Sequence, residues 1–321
     1  MARRLVLIAL VLAGLIAAPQ RLAAAPDETA EPEAGRASYD LKYRFRPGEV
    51  IRSQIVHRAT IETSIQGSTQ TAESRSSSVK VWEISAVKRG QVTFVHSVES
   101  IDMWHHMQGR QEVRYNSLTD AHAPPGYEDV AKAVGVPLTV VTMDERGKIS
   151  RREEKRKQPN TQSQPMTIEL PAEPVSIGQS WSVPQDIDVT LKGGSTKKIQ
   201  TRQLLTLQGV KKGVATIQLE SQILTPLRDP AIEAQLIQRL ANGTIRFDID
   251  AGRILSQQMD LDRRVLGFSG PSSSMHYLTR FTEELMTGQQ TARKPSRPKQ
   301  TPSRPSGAKS KSQPASKALR R

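Results

Sequence analysis

The chain has 321 residues, 46 of them Lys or Arg and 32 Asp or Glu, with 36% hydrophobic and 4% aromatic residues and no cysteine. The missing thiols exclude disulfides, cysteine nucleophiles, Cys-type zinc sites, iron–sulfur clusters and a lipid-anchored cysteine. The apolar fraction is below the roughly 45–50% of an average globular chain, which allows a core but a thin one. A formal charge of +14 suggests nucleic acid until it is located: ten basic residues and no acid lie between Arg293 and Arg321, and three more are Arg3, Arg4 and Arg21. Setting those thirteen charges aside leaves the rest of the chain near +1, so no nucleic-acid partner is expected of the body.

In chain order, Arg3 and Arg4 precede the uncharged run Leu5 to Ala18, and small residues follow at Ala23, Ala24 and Ala25. The run is shorter than the roughly 20 residues that span a bilayer. Residues 1–25 therefore read as a signal peptide cut near Ala24 or Ala25, with an uncleaved anchor as the alternative. Export to the periplasm or the exterior follows, with association at the cell envelope as a further expectation. Residues 26–38 form an acidic, proline-containing linker.

From Tyr39 to Met286 apolar residues recur with period two, the pattern of half-buried strands. Ile51, Ile55, Ala59, Ile61 and Ile65 share one face of a long strand, Val92, Phe94 and Val98 that of another, and Ala215, Ile217, Leu219 and Ile223 that of a third. Turns at Lys88-Arg89-Gly90 and Lys211-Lys212-Gly213 join such runs as tight hairpins. These hairpins reveal a duplication, because Val81 to Phe94 aligns with Leu204 to Ile217. Upstream, Pro47-Gly48-Glu49 matches Ile177-Gly178-Gln179. Downstream, the hairpin Met143 to Ile149 matches Phe247 to Ile254.

A helix is predicted before each downstream hairpin. The earlier one runs from about Tyr127 to Val134. In the later one Asp229 caps, Pro230 takes the first position, Ile232, Leu236, Ile237 and Leu240 form the stripe, and Asn242-Gly243 ends it. The expected layout is a first β-rich repeat over 39–157, a connecting segment over 158–176 and a second repeat over 177–287, with the charged run Arg151 to Lys157 and the polar run Gln158 to Gln164 read as an exposed connection between the copies. The tail at 288–321 is basic and rich in Pro and Ser, with too little apolar surface to order itself.

At Ile168 to Pro171, Pro174 to Trp181 and Gly243 to Ile254 the chain resembles a family of uncharacterised exported bacterial proteins. That family brings no assigned chemistry. The architecture also resembles periplasmic lipoprotein-carrier folds, and this resemblance implies a concave apolar face able to hold acyl chains.

Motifs for chemistry are sparse. Met103-Trp104-His105-His106-Met107 gathers soft ligands suited to copper, but alternation sends His105 and His106 to opposite faces. His57, His96, His122 and His276 are scattered, with His96 on the apolar face of its strand in a hydrogen-bonded structural role. Asp248, Asp250 and Gly252 suit an Asx turn better than a calcium loop. Ser85 and Lys88 lie in a strand, where a Ser-x-x-Lys pair does not converge. Gly267 to Gly270 lacks the spacing of a nucleophile elbow, and the sequon at Asn242 is explained by the helix stop. Trp82, Trp181, Phe94, Phe247 and Phe268 are expected in the core or in strand pairs.

The expected fold is mainly β with a few helices (α+β): a curled antiparallel sheet or open half-barrel built from two pseudo-repeats, with helices packed on the sheet. No catalytic, cofactor-binding or metal residue is assigned, and no cofactor. The expected role is a non-enzymatic binding module for a lipid, another apolar or amphipathic ligand, or a partner protein. The alternatives are a scaffold whose basic tail docks on anionic envelope polymers and a hydrolase with a dispersed site.

Overall fold

The computed structural model describes residues 37–156, 167–191 and 193–287. The signal peptide, nearly all of the acidic linker, the basic tail and the stretch 157–166 lie outside the described residues. The first half holds β1 (Ser38–Tyr39), β2 (Val50–Ile65), β3 (Ser68–Lys88), β4 (Gln91–Met107), β5 (Val113–Asn116), α1 (Glu128–Ala133), β6 (Pro137–Asp144) and β7 (Ile149–Glu154). The second holds β8 (Val175–Ser176), β9 (Ser180–Thr190), β10 (Thr196–Lys211), β11 (Val214–Ile223), α2 (Pro230–Leu236), β12 (Asn242–Asp248), β13 (Arg253–Leu266) and β14 (Ser273–Leu285).

One antiparallel sheet runs β7-β6-β4-β3-β2-β14-β13-β12-β11-β10-β9, with β5 alongside β4, and its two end strands do not pair with each other. Each half is a meander with its helix between the third and fourth long strands, and the halves join where β2 pairs with β14 over its length. That seam removes two of the four edges that separate half-sheets would expose. The remaining edges carry polar side chains: β7 has Arg151, Arg152, Glu153 and Glu154, and β9 has Pro184, Asp186 and Asp188. Charges and an edge proline discourage pairing with another chain.

The duplication holds at the level of single hydrogen bonds. Gly48 N donates to Ile84 O at 2.8 Å and Gly178 N to Leu207 O at 2.7 Å; Ile84 N donates to Glu49 O at 2.9 Å and Leu207 N to Gln179 O at 3.0 Å. A bulge follows at the same place in each copy, between Ile84 and Ala86 and between Leu207 and Gly209. Arg89 and Lys212 both take positive φ, at 50° and 51°, the twist that two-residue hairpins require.

The core lies where the curl brings both halves together. Trp82, Ile84, Phe94, Val141 and Met143 from the first half share a cluster with Leu205, Leu207, Ile217, Ile245 and Phe247 from the second. The segment Leu41–Phe45 acts as a clasp between the two downstream hairpins. Tyr43 N donates to Glu145 O at 2.7 Å on one hairpin, and Arg44 N to Gly252 O at 2.9 Å on the other. Gly252 has φ 62°, and a Cβ there would stand 2.6 Å from Arg44 N, so only glycine admits this approach. The Tyr43 ring stands edge-on to Phe247 at 5.6 Å.

Three expectations need correction. The charged residues Arg151–Glu154 form strand β7 rather than a loose connection. In the connecting segment Thr167, Ile168 and Leu170 are buried, and Leu170 N donates to Arg146 O at 2.8 Å. These residues pass beneath the clasp, where Ile168 N donates to the Tyr43 hydroxyl. Asn242 and Gly243 start β12 instead of stopping the helix, which ends in a 3₁₀ turn at Ile237–Arg239. Finally, the two helices are not equivalent. Helix α1 buries none of its residues, whereas α2 buries Ile232, Ala234 and Leu236.

Candidate functional site

Helix α2 creates the site by lying within the concavity of the second half. Asp229 Oδ1 accepts from Ala231 N at 2.9 Å and Pro230 occupies the first turn. The helix thus starts where both its cap and its missing donor suit the terminus. One side packs Ile232 and Leu236 on Ile187, Val189 and Ile199 of β9 and β10. The other packs Ala234 and Ile237 on Ala59, Leu261, Val265 and Tyr277 of β2, β13 and β14. Because the helix stops at the 3₁₀ turn, the sheet beyond it stays uncovered on its inner face.

There the structure has an open-mouthed pocket with a cavity volume of about 70 Å³. Its roof is Gln238, Arg239, Leu240 and Ala241, and one flank is Thr167 and Ile168. Its floor includes Leu219, Gln257, Met259, Leu261, Tyr277, Thr279, Phe281 and His57. One register row crosses this floor: His57 faces Phe281, Phe281 faces Met259, Met259 faces Gly243 and Gly243 faces Leu219. Gly243 contributes no side chain to the row. A Cβ at that position would lie 1.9 Å from Gln258 O.

The pocket walls mix apolar surface with neutral amides, from Gln185, Gln203, Gln238 and Gln257. Gln203 Nε2 donates to Gln185 Oε1 at 3.5 Å, and Gln257 Nε2 to Glu283 Oε2 at 2.7 Å. Burial lowers the basicity of His57, whose Nε2 lies 2.8 Å from Thr279 Oγ1. Beside the pocket, Glu283 is paired with Lys80, both side chains nearly buried, and the Lys80 ammonium lies 4.6 Å from the Trp82 ring centre. Burial alone would raise the Glu283 carboxyl. The Lys80 charge and the donors on Lys80, Gln257 and Ser53 outweigh burial and hold it below the usual range.

A smaller pocket of about 20 Å³ lies on the other side of this ion pair, lined by Tyr43, Phe45, Ile51, Trp82, Arg253 and Leu285. Ile254 lines both pockets.

The residues singled out from sequence are not assembled into a reactive centre. Met103 and His105 sit on the inner face of β4, and His105 Nδ1 lies 2.6 Å from the Tyr127 hydroxyl. His106 points outward beside Trp104 at 6.4 Å. Among the described residues no three His, Asp or Glu side chains are placed to hold a metal. Asp248 Oδ1 accepts from Ala251 N at 2.8 Å, an Asx turn. Ser85 Oγ donates to Thr93 O at 3.0 Å, and Ser269 N donates to Ser273 Oγ at 2.8 Å. His122 is exposed, and His276 lies 2.7 Å from Asp262. His96 is on the inner face as expected, but its Nδ1 has no hydrogen-bond partner among the described residues.

The pocket residues were missed. Their signal is a glutamine at an inward position of an otherwise apolar face, as at Gln203 beside Leu205 and Gln257 beside Met259, since a half-buried polar group is more informative than an exposed apolar one.

No family model matches this chain, and no curated protein does. Among solved structures it is similar to lipovitellin, from work on that protein's lipid–protein interactions, with 12% identity and a TM-score of 0.40 over 76% of this chain and 26% of that one. The chain thus spans about a quarter of the lipovitellin chain. It is also similar to a DUF1329 family protein from Desulfovibrio piger (10% identity, TM-score 0.15, 70% and 83% of the two chains). A putative outer membrane lipoprotein-sorting protein domain from Vibrio parahaemolyticus matches at 13% identity and a TM-score of 0.13, over 74% of this chain and 86% of that one.

Proposed function

We propose that this chain is an exported cell-envelope protein that binds an apolar or amphipathic molecule in the pocket beneath the end of α2, without chemical turnover. The observation that carries the reading is the pocket itself. It is concave, lined by Leu219, Leu240, Met259, Leu261, Tyr277 and Phe281, and has a few amides placed among them, the mostly apolar lining with a few polar groups that is typical of small-ligand sites. Export is supported by the residues from Arg3 to Ala25.

The test uses the full chain and N-phenyl-1-naphthylamine, an uncharged apolar dye that brightens on leaving water. The wild type should enhance its emission saturably, and Met259→Trp, which fills the floor, should abolish that enhancement. A flat titration of the wild type would remove the reading.

A second reading rests on the tail, whose ten cations lie between Arg293 and Arg321 without an acid. Such a segment is drawn to anionic surfaces over a Debye length of about 8 Å at physiological salt. Truncation after Met286 should then release the protein from vesicles rich in anionic lipid and leave dye binding unchanged. Loss of dye binding with retained vesicle binding would contradict this division of labour.

A further inference from the structure

The charges around the pocket differ in how they are satisfied. Asp260 lines it and pairs with Arg280, at 2.6 Å. Glu283, behind Gln257, is held by Lys80. His57 is pulled toward its neutral form by burial and lies against Thr279. Arg239 is the exception. It is half-buried in the pocket roof at the end of the 3₁₀ turn, and among the described residues it pairs with no carboxylate. Among the described residues the pocket therefore carries one unmatched positive charge. Around it are apolar walls and the Gln185 amide, whose NH2 donates to no group among the described residues.

We infer that the pocket takes an anionic single-chain amphiphile, its carboxylate or phosphate head paired with Arg239 and its hydrocarbon chain lying along Leu240, Met259, Leu261 and Phe281. This deepens the proposed function and rests on it. Charge complementarity decides the class. A planar guanidinium offers two parallel donors to an oxyanion, and a cationic head would meet Arg239 with no acid free to receive it. The apolar floor beside the head gives the chain its own contact, so recognition needs both parts of the ligand.

The experiment displaces N-phenyl-1-naphthylamine from the full chain with dodecanoate, dodecyl phosphate and dodecanol, for the wild type and for Arg239→Gln. The two anionic compounds should displace the dye about tenfold more tightly than the alcohol, the worth of a charge-assisted hydrogen bond of about 1.4 kcal/mol. In Arg239→Gln that advantage should vanish when each competitor is referred to the variant's own affinity for the dye. The ratio of phosphate to carboxylate affinity then separates the two sources of anion. Equal displacement by all three compounds, or an advantage that survives Arg239→Gln, overturns the inference while the apolar site stands. If the dye never binds, the proposed function fails first. Circular dichroism of Arg239→Gln, expected to match the wild type, excludes misfolding as the cause of any loss.

Discussion

Trp82, His96 and Thr139 face one another across β3, β4 and β6, and each carries a buried polar atom with no hydrogen-bond partner among the described residues. The imidazole matters most, because burial and then the nearby Lys80 charge push its pKa down from 6.5 to about 4. The fold therefore holds His96 neutral, whereas the unfolded chain protonates it near 6.5. Below that value the unfolded state binds more protons, so stability is full above pH 6.5 and declines as pH falls toward about 4. The loss amounts to at most about 3 kcal/mol. Urea melts of His96→Leu across that window should show a flatter pH profile than the wild type; parallel profiles would place the acid sensitivity elsewhere. Glu283 acts lower on the scale. Its carboxylate is favoured in the fold, so its contribution is present above about 4.5 and lost as pH falls below it.

Two features of the elements bear on how the pocket is held open. The first is α2, which spans the concavity by packing both of its sides and begins at a capped turn. Asp229→Ala removes the bond to Ala231 N and should cost about 1 kcal/mol, read as a lower urea midpoint. The dye affinity should fall with it, because the same helix ends in the pocket roof. An unchanged affinity would separate the helix start from the roof. The second is the seam, where Lys80 of β3 and Glu283 of β14 pair across β2. Lys80→Met alone should destabilise by about 3–5 kcal/mol by stranding a buried carboxylate, and Lys80→Met with Glu283→Leu should recover most of that. Equal damage in the single and double variants would mean that the pair contributes more than mutual neutralisation.

At the scale of the molecule, the sheet was legible because its signals are local and repeated. Alternation in β2 and the matched hairpins at Arg89 and Lys212 arise from neighbouring residues. The curl was not legible to the same extent. It depends on Tyr43 reaching Glu145 and Phe247, and on Ile168 passing beneath that ring, contacts between segments that share no periodic signal. Asn242-Gly243 misled for a related reason. The pair resembles a helix stop, yet Asn242 Oδ1 accepts from Ser221 N at 3.1 Å and the backbone joins β12, so sheet pairing overrode the local turn preference. The pocket was hidden because its walls come from β2, β9, β10, β11, β13, β14, the connecting segment and the end of the helix region, each individually an ordinary half-buried face.

The central claim, that this concavity holds an amphiphile, is tested most directly by native mass spectrometry of the full chain purified from its own cell envelope, beside Met259→Trp prepared identically. The account expects a wild-type adduct with the mass of a single-chain anionic amphiphile and none on the variant. A bare wild-type mass, or an adduct that persists with Trp at position 259, would contradict it.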